Sequence, residues 1–428
     1  MSNSRLQTTC WLVSAAASAL IGLPCNAQTY RHSAESSAGE ALQHLAGHTK
    51  TAEEQPIDQG ITIQLQGLYE TNVRKSRLNL GGRHVVPEDE LLEPALLANL
   101  QRPIGRESVF LNGDVGYDFY DHNSFLDRQH LNVESGINVP IQQCKNTVSG
   151  AYSSHQTDLS EEVLLVKNTE DLETIALKGD CTRTVGIAPQ VTLSQGWSQN
   201  SAITRKAVDK IMSTAEGGLV YARPALGQIF FFGHYEEVDY PHSIGSITGH
   251  ISRAGYTSYS GGARFTRELG TRLHGSASLS YEVLHSKLTN STGFQGLIYS
   301  LDLTYTASTR LEGHLIAARE TAPSERAGAA FSTNDSVSGD VTYRLGARLK
   351  LDLDGSYRRR VYGEPILTDL AVFNLSRETF VDGEGALVYD LSPKISVRMN
   401  VREEVRHADV MLFNYSNLTV GLRVNAKL

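Results

Sequence analysis

Beyond Leu23 the 428-residue chain contains no apolar run approaching the roughly 20 residues that a membrane-spanning helix requires, so helical passage through a bilayer is excluded for everything after the first segment. Runs of lysine and arginine are also missing, and with a formal net charge of −8 the chain lacks the electrostatic footprint of a nucleic-acid-binding protein. No Gly-x-Ser-x-Gly elbow, His-Glu-x-x-His pair, phosphate loop or cysteine pair with zinc spacing occurs. The sequence therefore gives no grounds for expecting a cofactor or a metal, and no catalytic residues are assigned. Tryptophan (2) and methionine (4) are scarce, whereas 18 tyrosines and 37 glycines favour many strands and turns over a helical bundle.

The first segment reads as an address. Arg5 supplies a positive start, Trp11 to Leu23 is apolar, and Cys25-Asn26-Ala27 offers small residues around a cleavage point, so residues 1–27 are expected to be a signal peptide. The apolar stretch is several residues too short for a spanning anchor. Residues 28–59, rich in Ser, Ala, Glu, His and Gln with a weak stripe through Ala41, Leu42 and Leu45, are expected to form a flexible periplasmic leader.

From Ile61 onward the dominant signal is alternation with a period of two. Ile61, Ile63, Leu65, Gly67 and Tyr69 fall on one face and Thr62, Gln64, Gln66 and Glu70 on the other. The pattern returns at Val109–Phe119, Leu273–Val283 and Leu297–Tyr305. These runs approach the roughly 9–11 residues that a tilted strand needs to cross a bilayer. Short connections carrying a turn residue and a nearby cation (102–106, 183–186, 223–227, 267–270, 344–346, 392–394) alternate with long polar ones (72–90, 155–170, 199–210, 240–253, 321–335, 361–376). Short periplasmic turns and longer extracellular loops are the habit of outer-membrane barrels, so residues 60–428 are expected to form an all-β, transmembrane antiparallel β-barrel of about 18 strands. The second strand, near 91–101 and interrupted by Pro94, and the sixth, near 171–182, carry the weakest patterns. A soluble β-propeller is the structural rival, because the turns recur about every forty residues, but each period holds two long runs rather than four short ones.

Aromatics point the same way. Tyr69, Phe119, Tyr152, Trp197, Tyr235, Tyr281 and Tyr357 fall late in outward-running strands, and Tyr221, Phe265, Tyr305, Tyr343 and Tyr389 fall just before the short turns. On the apolar face, these would form outer and inner girdles at the headgroup level of the outer-membrane lipid. The opposite faces carry Arg264, Arg272, His274, Glu282, Arg348, Lys350, Asp352, Asp354, Arg398, Asn400, Arg402 and Glu404, which are costly in hydrocarbon and natural in a water-filled lumen. Both signs are mixed there, so no polyanion-selective track is defined, and the same charges could pair across the lumen and brace the wall.

With Cys10 and Cys25 in the leading segment, Cys144 and Cys181 remain in an oxidising compartment. Antiparallel pairing of the fifth and sixth strands would bring them together at the periplasmic rim, whereas a one-residue slip would turn one thiol to the other face, so spacing alone leaves the bridge open. The last strand keeps its alternation to Leu428, where such barrels usually end on an aromatic residue.

Leu68-Tyr69-Glu70-Thr71-Asn72-Val73, together with Gly116-Tyr117-Asp118-Phe119-Tyr120 and Phe125-Leu126-Asp127-Arg128, resembles the outer-membrane β-barrel porins associated with exopolysaccharide and capsule export, over roughly 60–428. The resemblance implies passage of a polysaccharide or other polar polymer across the outer membrane of a Gram-negative bacterium, delivered by periplasmic polysaccharide-export proteins and without a cofactor. A general diffusion porin for small polar solutes is the nearest alternative. A barrel hydrolase using Asp121-His122 or Asp239 with His242 in the outer loops is an alternative of another class.

Overall fold

A computed structural model describes residues 60–75, 86–156, 167–247, 250–270, 272–287, 293–324, 329–363 and 375–428. The segments expected to be signal peptide and leader lie outside the described residues, as do the central parts of several long loops.

Eighteen strands follow one another along the chain: β1 (Gly60–Glu70), β2 (Asp89–Ile104), β3 (Glu107–Tyr120), β4 (Arg128–Ile141), β5 (Cys144–Gln156), β6 (Thr169–Asp180), β7 (Gly186–Asn200), β8 (Lys210–Arg223), β9 (Gly227–Ile247), β10 (His250–Leu269), β11 (Leu273–Ser286), β12 (Phe294–Thr306), β13 (Leu311–Pro323), β14 (Phe331–Arg344), β15 (Leu349–Tyr362), β16 (Arg377–Ser392), β17 (Ile395–Ala408) and β18 (Tyr415–Lys427). Each pairs antiparallel with the next, and β1 pairs with β18 in the register Gln66 opposite Arg423, so the sheet closes on itself. Closure removes the free edges that an open sheet would expose, which is the condition for placing strands in lipid. A 14-residue strand such as β8 rises about 46 Å, and at a tilt of about 40° it spans about 35 Å, enough for a hydrocarbon core of roughly 30 Å.

The exterior is apolar in the alternating positions the sequence suggests. Leu279 (55 % exposed), Leu297 (56 %) and Met399 (61 %) stand on the outer face although they sit mid-strand. Such exposure would be unfavourable for a protein surrounded by water and is natural in acyl chains. No helix among the described residues is long and apolar enough to cross a membrane.

The turns at one end are tight. Gly105 (φ 67°) and Gly270 (φ 69°) supply the left-handed backbone that closes β2–β3 and β10–β11. The β4–β5 turn lacks glycine, and Gln142 takes the positive φ instead (55°), so it carried no glycine signature in the sequence.

Two elements differ from the sequence expectation. β2 runs through Pro94, which stays in register with Leu65 of β1. On its other side, the bridges to β3 stop at Leu92 and resume at Ala95 in the same register. Proline removes one donor from a ladder whose neighbours hold, so the strand continues. The expected long loop at 240–253 is instead mostly strand, since β9 reaches Ile247 and β10 starts at His250, with a register shift between Arg253 and Ala254. Alternation does not mark this stretch, whose Tyr240, Ala254 and Tyr256 are held in one buried cluster.

Candidate functional site

The register fixes which side chains share the inner face. From β9 to β17 it carries even-numbered residues, for instance Arg264 opposite Ser278, Asp352 opposite Ala386 and Asn400 opposite Ala386. On β18 the inner residues are odd-numbered, with Arg398 opposite Arg423 and Glu404 opposite Asn417.

Of the residues expected to line the lumen, Arg264, Glu282, Lys350, Asp352, Asp354, Arg398, Asn400, Arg402 and Glu404 lie on the inner face of strands. His274, exposed, is the second residue of β11 and faces Glu268 and Thr304 at the short-turn rim. Arg272 and Arg348 are displaced from the expected wall: both sit in the turns preceding β11 and β15 and are exposed. Alternation extrapolated through a turn does not fix a side-chain direction, because the pleat ends with the last paired residue.

Most of the inner-face charges are paired. Arg398 donates to Asp352 Oδ2 at 2.7 Å and Glu384 Oε1 at 2.6 Å, and Arg402 donates to Asp382 Oδ2 at 2.5 Å. Lys350 stands 3.3 Å from Asp390, and Arg264 stands 3.2 Å from Glu216 while lying over the rings of Phe230 and Phe232. Glu282 accepts from Ser258 and, at 2.7 Å, from Thr321. Asn400 lies against Gly421, where a Cβ would meet its Oδ1 at 2.3 Å. These pairs bridge neighbouring and next-neighbouring strands, so the wall is braced by the same charges that wet it.

Sequence reading missed two inner-face features. On β2–β4, Glu93, Asp114 and Asp118 surround His130, and on β12–β14, His314 stands 2.9 Å from Asp302 and 3.3 Å from Asp340. The polar half of the alternation along β3 (Asn112, Asp114, Gly116, Asp118) was the available signal. Among the described residues, carboxylates outnumber lysines and arginines on the inner face, giving the lumen an acidic field.

Toward the long-loop end the inner face becomes apolar. Leu172, Met212, Val238, Tyr240, Ala254, Tyr256, Leu284, Ala330 and Phe331 pack into one apolar cluster drawn from β6 to β14. The Tyr240 hydroxyl reaches the carbonyls of Ser324 (3.0 Å) and Ala330 (2.9 Å), tying the stem of the β13–β14 loop to the β9–β10 hairpin. A second cluster joins Ala329, Tyr362, Leu375 and Phe413. Single carboxylates anchor the loops: Asp89 accepts from the His122 and Asn123 backbone N–H groups, each at 2.9 Å, and Asp209 accepts from the Asn200 N–H at 2.7 Å.

The histidines considered for hydrolysis belong to these anchors. His122 Nδ1 lies 3.4 Å from Asp89, and His242 Nδ1 lies 3.0 Å from Asp209. Asp239 instead receives Lys287 at 2.5 Å. Burial opposes the charge on Lys287, but hydrogen bonds from its ammonium to Asp239 and Glu237 hold its pKa above the ordinary lysine value. Among the described residues, neither imidazole is paired with a hydroxyl or thiol.

The aromatics expected to form girdles stand on the outer face near the strand ends. Phe119 (46 % exposed) and Tyr357 (45 %) stand toward the long-loop end, and Tyr305 (50 %) and Tyr389 (43 %) beside the short turns, with Tyr343 and Phe265. Tyr69, Tyr152 and Tyr235 donate to Glu88, Asp171 and Glu237 at 3.1, 3.1 and 2.9 Å, which gives the wet edge of each ring an acidic partner. Trp197 and Tyr281 complete the outer set, and Tyr221, opposite Ile187 and Ile229, the inner one. Tyr117, Tyr259 and Tyr299 are further exposed outer-face aromatics beyond the expected girdle sets.

Cys144 and Cys181 are joined by a disulfide across the β5–β6 register, one step beyond the Lys145–Asp180 pair at the short-turn rim.

A closed sheet of eighteen antiparallel strands, apolar outside and charged inside, with short turns at one rim, defines an outer-membrane β-barrel, located in the outer membrane of a Gram-negative bacterium. The family model described as Putative beta-barrel porin 2 matches residues 222–428. The chain is similar to solved porins of Pseudomonas aeruginosa: OpdL (12 % identity, TM-score 0.44, covering 87 % of this chain and 99 % of that one) and OccK2 (OpdF) in complex with glucuronate (9 %, 0.47, 87 % and 98 %). It is also similar to a bacterial polysaccharide outer membrane secretin (7 %, 0.36, 86 % and 99 %). No curated protein matches the sequence significantly.

Proposed function

We propose that the barrel passes an exopolysaccharide or other polar polymer out of the cell by guided diffusion through its lumen. The observation that carries this reading is the inner face, where paired charges and hydroxyls such as Ser278 and Ser300 (2.6 Å apart) offer exchangeable hydrogen bonds along the wall. A saccharide chain trades hydrogen bonds with water for equivalent ones at such a surface, so it is held weakly and moves on. The acidic field favours neutral or cationic cargo over polyanions. Eighteen strands spaced about 4.8 Å apart and tilted about 40° enclose a circle roughly 35 Å across at the backbone, wide enough for a hydrated chain before side chains and loops narrow it. Periplasmic export proteins would deliver the polymer to the short-turn rim.

The apolar cluster around Tyr256 and Phe331 favours a second reading, a diffusion porin for small polar solutes, because it sets packed apolar side chains rather than hydrogen-bonding groups toward the long-loop end. Deleting the gene and measuring released polymer against nutrient uptake separates the two. Polymer retained in the periplasm with unchanged solute uptake supports export. Unchanged release with slowed uptake of a small solute supports the second reading.

A further inference from the structure

The environment of His130 differs from that of the other inner-face histidine braced by carboxylates on two sides. His314 has both ring nitrogens within hydrogen-bond reach of carboxylates, Nε2 at 2.9 Å from Asp302 and Nδ1 at 3.3 Å from Asp340, the arrangement of an imidazolium held between two anions. In His130 only Nδ1 is so engaged, at 2.9 Å from Asp118 Oδ1. An ionised carboxylate can only accept, so Nδ1 carries the hydrogen and Nε2 is left with its lone pair in the neutral ring. Nε2 lies 3.7 Å from Asp114 Oδ2 and 3.8 Å from Glu93 Oε1, both beyond hydrogen-bond length. The ligating atoms of Glu93, Asp118 and His130 all lie within 4.8 Å of one another.

The backbone makes room for this geometry. His130 is directly across from Gly116 on β3, and a Cβ at that glycine would lie 2.4 Å from the imidazole Nε2. A side chain at position 116 would occupy the place of the ring, and the side chains of the cluster are partly exposed (18 % for His130, 16 % for Glu93). Metal bonds to nitrogen and oxygen are about 2.1 Å long, so two of them meeting at an open angle separate their donors by about 3.7 Å. A separation of that size suits an ion shared by Nε2 and a facing carboxylate, and a histidine whose other nitrogen donates to a carboxylate is the usual way a metal-ligating imidazole is oriented.

We propose that His130 Nε2 and Glu93 bind a divalent transition-metal ion in the channel wall beside Asp114, with Asp118 as the positioning residue for the imidazole. Imidazole with carboxylates suits zinc, cobalt or nickel rather than magnesium or calcium, which prefer oxygen alone. Water from the lumen would complete the coordination.

The test is titration of the full chain, without a polyhistidine tag and folded in detergent micelles, with cobalt(II). It is followed by visible absorption and by calorimetry, with folding checked by heat-modifiable electrophoretic mobility. The wild type is expected to bind a single cobalt ion at this site at micromolar concentrations, and His130→Ala or Glu93→Gln to abolish that binding. Asp118→Asn is expected to weaken it by about 10–100-fold, the range typical of an orienting partner. His314→Ala is expected to leave it unchanged. Absence of binding below millimolar cobalt in the folded wild type, binding unaltered by His130→Ala, or loss on His314→Ala instead, would each overturn the proposal. The titration reads no transport, so its result is independent of what the channel carries.

Discussion

Glu378 illustrates how single residues are held inside this wall. It is 1 % exposed, and its carboxylate accepts from Arg360 at 3.2 Å, Tyr362 at 2.8 Å and Arg406. Two guanidiniums so deep in the wall depend on that anion, and removing one member of a buried ion cluster typically costs about 3–5 kcal/mol because its partners stay charged. Glu378→Ala should therefore lower the urea midpoint of the detergent-folded barrel clearly, while Glu312→Ala at the exposed short-turn rim should barely move it. The disulfide makes a second residue-scale prediction. Closing a 37-residue separation removes chain entropy worth about 2–4 kcal/mol in the unfolded state, so Cys144→Ser with Cys181→Ser should lower stability by that order, and intact-mass analysis should find two hydrogens fewer in the unreduced wild type. The sequence let such residues be assigned to a face but not to partners. Alternation put Asp352 and Arg398 on the inner side, yet nothing in their spacing foretold that they meet across β16. Arg272 and Arg348 were misplaced because the two-residue period stops where the turn begins.

At the scale of strands and loops, legibility followed lipid contact. Where one face meets acyl chains, a polar slip is costly, and β11 and β12 could be read almost to their ends. Where strands leave the bilayer the constraint vanishes, and alternation gives no sign of the extension of β9 and β10, which Tyr240 and Tyr256 fasten inward. The same reasoning yields a paired substitution. Leu279→Arg, on the lipid side of β11, should destabilise the barrel in bilayers by about 2–4 kcal/mol, whereas Ser278→Arg, one residue away on the inner side, should cost far less. Phe331 is 5 % exposed in the cluster at the outer mouth. Phe331→Gly, combined with Tyr240→Phe to release the loop stem, should raise single-channel conductance in planar bilayers; an unchanged value would mean that the cluster does not limit flow.

For the whole molecule, closure and charge distribution are what function draws on. Joining β1 to β18 required the last strand to keep its pattern to the end, and that was visible in Leu418, Val420 and Leu422. The His130 site was not, since its four residues come from three strands whose register only the folded sheet sets. The excess of carboxylates on the inner face predicts cation preference: under a potassium chloride gradient the reversal potential should carry the sign of potassium permeation and shrink as salt rises. Closure and charge act together only because the two faces of each strand meet different solvents. Spin labels placed singly at positions 273 to 283 of β11, in lipid bilayers, test that most directly. Odd positions should be relaxed chiefly by oxygen and even positions chiefly by a water-soluble nickel chelate, in strict alternation. A flat profile, or water access at every position, would contradict the account.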